Sequence, residues 1–85
     1  MYTLTMDSRA ESDLARLSPT IARRVRSRLE RLCEDPDTEH HKALKGKHKG
    51  KFSLRIAKHY RIIYSLDRST QEVTVHQIGH RSKVY

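Results

Sequence analysis

Alternating apolar and polar side chains predict a small antiparallel sheet in the second half of the chain. Side chains in a strand point to opposite faces in turn, so a period of two gives each strand one apolar face. Three stretches show this period, separated by turns at Lys58-His59 and at 67–71: residues 51–57, 60–66 and 72–78. Because short turns join consecutive strands, we predict a three-stranded antiparallel meander. Gly79 is predicted to end the last strand, which leaves residues 79–85 as a tail.

The first half of the chain predicts one strand and two helices. Residues 2–6 alternate as a short N-terminal strand, and Ser8-Arg-Ala-Glu11 then matches a capping box with Ser8 as the N-cap. Ser18-Pro19 predicts the start of the second helix. Asp35-Pro36 predicts its end, because proline disfavours helical geometry in the residue before it. We therefore predict one two-layer α+β domain, residues 1–85, in which a helical hairpin packs on the apolar face of the sheet.

The apolar positions of the predicted second helix form a stripe that the sheet can bury. Its members recur at helical spacing: Ile21, Val25, Leu29, Leu32 and Cys33. We predict that Cys33 is a core residue, because a nucleophilic cysteine would need an exposed and electropositive position. The arginines of this helix lie mostly off the stripe and are predicted to form a solvated face: Arg23, Arg24, Arg26, Arg28 and Arg31.

Charge is distributed unevenly along the chain, and this adds a functional expectation. Residues 1–39 carry seven arginines and eight acidic residues, whereas residues 40–85 carry eleven basic and two acidic residues. The formal net charge is +8 at pH 7, and no acidic residue occurs between His40 and Arg61. Such a basic block predicts a polyanionic partner, with an ordinary solvated basic face as the alternative.

Composition also excludes several classes of protein. A single cysteine excludes an internal disulfide and fits a reducing compartment. No apolar run reaches the roughly 18–20 residues of a membrane span, and the N-terminus lacks the pattern of a signal peptide. We therefore predict a cytoplasmic protein with no membrane association. His40, His41 and His48 lack the spacing of a metal site, so neither a metal nor a small-molecule cofactor is predicted.

Two arginines on neighbouring strands are the first candidate functional residues. The predicted hairpin places Arg55 and Arg61 side by side on the face away from the core, on strands about 5 Å apart. Their guanidiniums repel each other unless an anion lies between them, and the planar fork of arginine suits phosphate. His76 is predicted on the same open face. The alternative is that each arginine pairs with a carboxylate, of which this half of the chain has only Asp67 and Glu72.

Six short motifs follow one another along the chain: Asp35-Pro36, Leu44-Lys45-Gly46, Phe52-x-Leu54-Arg55-Ile56, Tyr60-Arg61-Ile62-Ile63-Tyr64, Gly79-His80-Arg81 and Val84-Tyr85. Together with the helical hairpin they resemble the RelE/ParE superfamily of bacterial toxin–antitoxin toxins. The resemblance implies a RelE-like fold and a cognate antitoxin as partner. RelE-like members cleave mRNA in the ribosomal A site without metal, whereas ParE-like members inhibit DNA gyrase and usually lack the late arginine and tyrosine. This chain keeps both, as Arg81 and Tyr85, which favours the RelE branch.

The resemblance also implies roles for individual residues. Arg55, Arg61 and Arg81 would stabilise the phosphorane, because arginine stays protonated at all working pH. His80 is the candidate for proton transfer, since histidine titrates near physiological pH. Tyr85 is its rival, and neighbouring cations would favour the lowered pKa that a tyrosine base needs. Further basic and polar residues are predicted to bind RNA: Lys45, Lys47, Lys49, Lys51, Ser53, Lys58, His76 and Lys83.

One departure from the family pattern leaves the proton-transfer chemistry open. RelE-like enzymes often carry two lysines on the first strand of the meander, where this chain has Ser53 and Arg55. We therefore predict a ribosome-dependent mRNA endoribonuclease toxin with either His80 or Tyr85 as the general base. The alternatives are a gyrase-inhibiting toxin without catalysis and a non-catalytic basic RNA-binding module.

Overall fold

The computed structural model describes residues 1–38, 42–44, 46 and 49–84, which form an α+β fold. In chain order the elements are β1 (Thr3–Met6), α1 (Ser8–Arg16), α2 (Pro19–Glu34), a 3₁₀ turn (Pro36–Thr38), β2 (Lys42–Ala43), β3 (Phe52–Ile56), β4 (Tyr60–Asp67), β5 (Glu72–His80) and α3 (Arg81–Val84). In the ranges just given, no helix combines the length and the apolar character that crossing a membrane requires.

The strands form one sheet in the order β1-β5-β4-β3-β2. The predicted antiparallel meander is confirmed as β3–β4–β5, and β4 pairs with β5 along nearly its whole length. The N-terminal strand was predicted without a partner; it lies parallel to β5, with Thr3 opposite Glu72 and Met6 opposite Val75. The short strand β2, which the sequence pattern did not predict, extends the other edge by pairing with β3.

The helices and one face of the sheet enclose a single cluster of buried side chains, as the apolar stripes predicted. Its members are Ala10 of α1, Val25, Leu29, Leu32 and Cys33 of α2, and Leu54, Ile56, Ile62, Tyr64, Val73, Val75 and Ile78 of the meander. The predicted core position of Cys33 is confirmed, because its side chain is only 6% exposed. Burial raises the pKa of this thiol and so disfavours the reactive thiolate.

The predicted N-cap of α2 is confirmed, and that of α1 differs by one residue. Ser18 caps α2 by accepting a hydrogen bond from the Ile21 N–H at 3.4 Å, and Pro19 is the first helical residue. The N-cap of α1 is Asp7, whose carboxylate accepts from the Ala10 N–H at 3.0 Å, so the prediction of Ser8 was wrong by one residue. A carboxylate at this position also interacts favourably with the positive end of the helix dipole.

The C-terminal segment differs most from the prediction. Gly79 does not end the last strand, because β5 continues to His80 and the chain then forms the helical turn α3. The reason is close packing: a Cβ placed on Gly79 would lie 3.2 Å from Cγ2 of Val84. Residues 81–84 are therefore packed against the sheet instead of forming the predicted tail, on the face opposite the core.

Candidate functional site

Arg55 and Arg61 occupy directly opposed positions on β3 and β4. They lie on the face away from the core, since Leu54, Ile56 and Ile62 on either side of them are buried. Opposed residues in an antiparallel pair have Cβ atoms about 4.5–5.5 Å apart. The sheet thus holds two positive charges side by side on its second face, with Arg55 exposed and Arg61 half-buried.

The two guanidiniums differ in how firmly they are held. Arg61 Nη1 donates to the carbonyl oxygens of Tyr60 at 3.1 Å and Lys58 at 3.4 Å. Arg55 contributes its carbonyl oxygen, which accepts from Arg28 Nη1 at 3.4 Å. Among residues 1–38, 42–44, 46 and 49–84, neither Arg55 nor Arg61 forms an ion pair with a carboxylate. The arrangement therefore leaves positive charge available to an external anion.

Asp67, one of the two acidic residues that could have neutralised these arginines, is used elsewhere. Its Oδ1 accepts from the hydroxyl of Ser69 at 2.7 Å and from the N–H groups of Ser69 and Thr70. These hydrogen bonds, led by the one from the Ser69 side chain, lower the pKa of Asp67. The carboxylate closes the β4–β5 turn, and the predicted alternative of an arginine partner is absent from the described structure.

The β3–β4 turn has an unusual backbone for its sequence. Ala57 and Lys58 both adopt positive φ angles, 49° and 66°, which residues other than glycine rarely do. The turn brings the carbonyl oxygen of His59 to 2.6 Å from the N–H of Arg81, which donates to it. Through this bond the first residue of α3 is fixed beside the turn.

His80 lies one register step from the arginine pair. It is the β5 partner of Tyr60, while Gly79 is the partner of Arg61. The His80 ring stacks on His59 with centroids 5.8 Å apart and meets the edge of Tyr60 at 5.7 Å. These contacts orient the imidazole at the end of the sheet where the arginines lie.

The hydrogen bonds of His80 decide which chemistry its free nitrogen can perform. Nδ1 lies 3.2 Å from the N–H of Ser82, which donates to it, and 2.8 Å from the Ser82 hydroxyl. Because the Ser82 N–H donates to Nδ1, the neutral ring carries its proton on Nε2, which can donate a hydrogen bond to a phosphate oxygen. For Nε2 to act as a base, the ring proton must first move to Nδ1, which breaks the bond from the Ser82 N–H. The Ser82 hydroxyl could then accept from Nδ1.

Four of the five predicted catalytic residues lie at one end of the sheet but not all on one face: Arg55 and Arg61 point away from the core, and His80 alternates to the face of Ile56 and Tyr60. Arg55, Arg61, His80 and Arg81 belong to two adjacent register rows and the start of α3, at the β3–β4 turn end of the sheet. Arg81 is exposed. Tyr85, the fifth, lies outside the described residues.

The predicted RNA-binding residues divide into three groups. Lys49, Lys58 and Lys83 are exposed and Lys51 is half-buried, so their charges face solvent. Lys45 and Lys47 lie outside the described residues, as do the three histidines considered for metal binding. In the described ranges, no three His, Cys, Asp or Glu side chains come together as a metal site would require.

Two members of the predicted RNA-binding set, Ser53 and His76, have close neighbours within the protein. Ser53 is only 6% exposed, between its strand partners Lys42 and Ile63. His76 has both ring nitrogens engaged, with Nε2 2.8 Å from the Ser65 hydroxyl and Nδ1 3.2 Å from Asp7 Oδ2. The reason is an irregularity in the β4–β5 register next to Ile63, which shifts His76 out of the regular alternation. That Ser53 and His76 bind RNA stays a prediction.

A basic groove beside the turn was not found from the sequence. It has a volume of about 590 Å³ and is lined by Arg24, Arg28, Arg55, Ala57 and Lys58. The helix arginines were expected only to face solvent, but Arg28 is half-buried and reaches the carbonyl of Arg55. The available signal was the spacing of Arg24 and Arg28, which puts both on one side of α2.

Comparison with known proteins identifies the family of the chain. Residues 4–85 match the family model described as "ParE toxin of type II toxin-antitoxin system, parDE". No curated protein matches the chain. Among solved structures, the toxin–antitoxin complex RelBE2 from Mycobacterium tuberculosis is similar with a TM-score of 0.82 and 30% identity, covering 94% of this chain and 98% of that one.

Two further structures share the fold. The isolated E. coli RelE toxin gives a TM-score of 0.79 with 27% identity, covering 100% of this chain and 92% of that chain. The YoeB–YefM complex from Staphylococcus aureus gives 0.76 with 16% identity, covering 94% and 97%, and shows likeness of fold only. The family model spans nearly the whole sequence, and the fold matches that of the RelE structures. The chain therefore belongs to the ParE toxin family of type II toxin–antitoxin systems, within the RelE/ParE superfamily.

Proposed function

We propose that this protein is a ribosome-dependent mRNA endoribonuclease that inhibits translation and is neutralised by a cognate antitoxin. The observation that carries the proposal is the opposed pair Arg55–Arg61, which has no carboxylate partner in the described structure. His80 and Arg81 lie at the same end of the sheet. Such a cluster fits a substrate that brings its own negative charge, and an RNA phosphate does so.

The reaction that this cluster suits is cleavage by the neighbouring 2′-hydroxyl. The 2′-oxygen loses its proton and forms a bond to phosphorus, and the bond from phosphorus to the 5′-oxygen breaks as that oxygen gains a proton. The products are a 2′,3′-cyclic phosphate and a free 5′-hydroxyl. The phosphorane between them carries extra negative charge, which fixed guanidiniums stabilise more than they stabilise the ground state.

Arg61 and Arg81 have different parts in this proposal. The Arg61 guanidinium is tethered to two carbonyl oxygens, so its charge is held in place before substrate binds. Arg81 is exposed at the start of α3, where only its backbone N–H is fixed. We propose that Arg61 supplies a preorganised charge and that Arg81 closes onto the phosphate when RNA binds.

Proton transfer is assigned to His80 and Tyr85. His80 can take the 2′-hydroxyl proton at Nε2 once its ring proton has moved to Nδ1, which breaks the bond from the Ser82 N–H, and the resulting imidazolium can supply the proton of the leaving oxygen. Arginine stays protonated and cannot do either. Tyr85 remains the alternative base, as the sequence left it.

The proposed protein partner is an antitoxin. Toxin–antitoxin complexes are recorded for structurally similar proteins, including RelBE2 and the intact E. coli RelBE complex. We propose that the cognate antitoxin covers the basic surface or packs an amphipathic helix against the helical hairpin. With a net charge of +8 on the toxin, association should be fast and should slow as salt is added.

Inhibition of DNA gyrase is the second candidate function, because the matching family model is described as the toxin of parDE. The two candidates are separated by primer extension on translated mRNA beside a gyrase supercoiling assay. We expect new mRNA 5′ ends and unimpaired supercoiling. The matched control is the Arg61→Ala, Arg81→Ala double variant, in which the cuts should disappear. Intact mRNA with blocked supercoiling would assign the protein to gyrase inhibition.

A further inference from the structure

A second pocket adjoins the candidate catalytic residues on the other side of His80. It lies between α1, the end of β5 and α3, and has a volume of about 320 Å³. That volume is within the range of small-molecule sites, roughly 300–1,000 Å³. Its lining includes the cations Arg9, Arg16 and Lys83 and the apolar side chains Leu17 and Val84. His80 lines this pocket as well, so it joins the pocket to the candidate active site.

Gln77 lines this pocket without an evident structural role for its amide. It is 9% exposed and lines the pocket, and its side-chain amide forms no hydrogen bond to any residue that the structure describes. Its amide atoms keep some contact with solvent, so they are open to a ligand in the pocket. The register irregularity of β5 leaves Gln77 opposite Ile63, on the face away from the core. No packing requirement of the core accounts for an amide at this position.

The other polar groups of the pocket show what is free to bind. Asp13 is occupied, because its Oδ2 accepts a hydrogen bond from the Ile78 N–H at 3.0 Å. This N–H lies on the edge of β5 past the residues that pair with β1. Arg9, Arg16 and Lys83 are exposed and pair with no carboxylate in the described part of the chain. The pocket therefore offers a ligand the Gln77 amide, the positive charges of exposed side chains and apolar contacts.

We propose that this pocket holds the base of a nucleotide that flanks the scissile phosphate, and that the Gln77 amide recognises the hydrogen-bonding edge of that base. The inference rests on the proposed nuclease function. Glutamine suits base edges because it presents a donor and an acceptor together, and the rim cations can hold the adjacent phosphate. The order in which the bound amide presents its oxygen and nitrogen decides which base edge it matches. That order separates amino bases, adenine and cytosine, from keto bases, guanine and uracil.

The test is a map of cut positions on translated mRNA for the wild type and three variants. The wild type should prefer either amino or keto bases at one position next to the cut. Gln77→Met keeps the length of the side chain but has no hydrogen-bonding groups, so it should lose that preference by about tenfold while still cutting. Gln77→Glu has only acceptors and should favour amino bases, which donate. Thr74→Val, a half-buried polar position on β5 outside the pocket, is the matched control and should keep the wild-type preference.

The outcomes separate this inference from the proposed function. If the wild type cuts with a base preference that Gln77→Met and Gln77→Glu both retain, or cuts with no preference, recognition by Gln77 is wrong and the nuclease proposal stands. If the wild type does not cut translated mRNA, the proposed function is wrong and the inference is lost with it. Thermal unfolding of each variant checks folding. Should Gln77→Met fail to fold, the expected shift of Gln77→Glu toward amino bases decides the question alone.

Discussion

Arg55 and Arg61 face each other across β3 and β4 with no carboxylate beside them in the described residues. Like charges placed directly opposite each other in a sheet destabilise it. The fold therefore keeps a pair that weakens it at the place where an anionic substrate would bind. A bound phosphate would relieve the repulsion, so substrate binding and stability of the hairpin should be linked.

Neutralising one member of the pair should raise stability and lower activity. We expect Arg55→Gln to increase the free energy of unfolding by up to about 1 kcal/mol, since opposed pairs contribute on that scale. The same change should reduce mRNA cleavage, but by less than the roughly 10²–10³-fold typical of losing a preorganised charge donor, because the Arg55 guanidinium is exposed. Chemical denaturation and single-turnover cleavage measure the two effects.

Salt dependence and a control variant complete this prediction. The increase in the free energy of unfolding caused by Arg55→Gln should be smaller at high salt, because salt screens the repulsion between the two arginines of the wild type. Arg68 is the matched control: it donates to Asp37 at 2.8 Å, and Arg68→Gln should not raise stability. A wild type that is as stable as Arg55→Gln at low salt would contradict the idea that the pair is strained.

The parts of the fold with a repeated local pattern could be predicted from the sequence. The meander was predicted because its period of two continues through three strands, and α2 because Ser18-Pro19 and Asp35-Pro36 bound a helical stripe. The positions of Arg55 and Arg61 followed from the same alternation. Each of these features depends on neighbouring residues.

The parts that depend on distant residues could not be predicted in this way. The parallel pairing of β1 with β5 joins residues about seventy positions apart, and no local pattern encodes it. Strand β2 and helix α3 are two and four residues long, too short for a period to be detected. The bond of His76 to Asp7 spans the same long distance along the chain, whereas its bond to Ser65 lies within the β4–β5 hairpin. The structural partners of His76 therefore follow from packing and register, which the sequence pattern does not show.

His80 and Tyr85 can be separated as proton-transfer groups by two single variants. If His80 is the general base, His80→Ala should abolish the acidic limb of the pH–rate profile and Tyr85→Phe should be mild, because general bases contribute about 10²–10⁴-fold. If Tyr85 is the base, loss of its hydroxyl alone should be severe. Ser82→Ala tests the tautomer argument: it keeps the Ser82 N–H that holds Nδ1 as an acceptor, so cleavage should stay close to that of the wild type if the hydroxyl has no part in proton transfer.

The β4–β5 turn should become less stable in acid because of Asp67. Its pKa is lower in the folded protein than in the unfolded chain, so its contribution is present above the unfolded value and is lost as pH falls through the folded value. Compared with Asp67→Ala, the wild type should therefore be more stable at neutral pH, and the difference should disappear in strong acid. Denaturant unfolding as a function of pH measures it. Ser69→Ala, which removes the strongest hydrogen bond to this carboxylate, should show a smaller pH-dependent difference than the wild type.

The contact between Gly79 and Val84 should control the position of Arg81. A Cβ at residue 79 would lie 3.2 Å from Val84 Cγ2, so Gly79→Ala must push α3 away by a few tenths of an ångström. Arg81 is the first residue of α3 and would move with it. Because displacements of this kind disturb transition-state geometry, we expect cleavage to fall by about tenfold, while α3, a single turn of helix, yields with little loss of stability.

The double variant Gly79→Ala, Val84→Ala distinguishes this steric effect from any other cost of a side chain at residue 79. Shortening Val84 removes the methyl group that the new Cβ would meet, so Gly79→Ala should cost little activity when Val84 is already alanine. A coupling between the two changes is the expected sign of direct contact. If Gly79→Ala lowers cleavage equally in both backgrounds, the contact does not position Arg81. If Gly79→Ala is fully active, the close packing of α3 on β5 has no part in the function of the site.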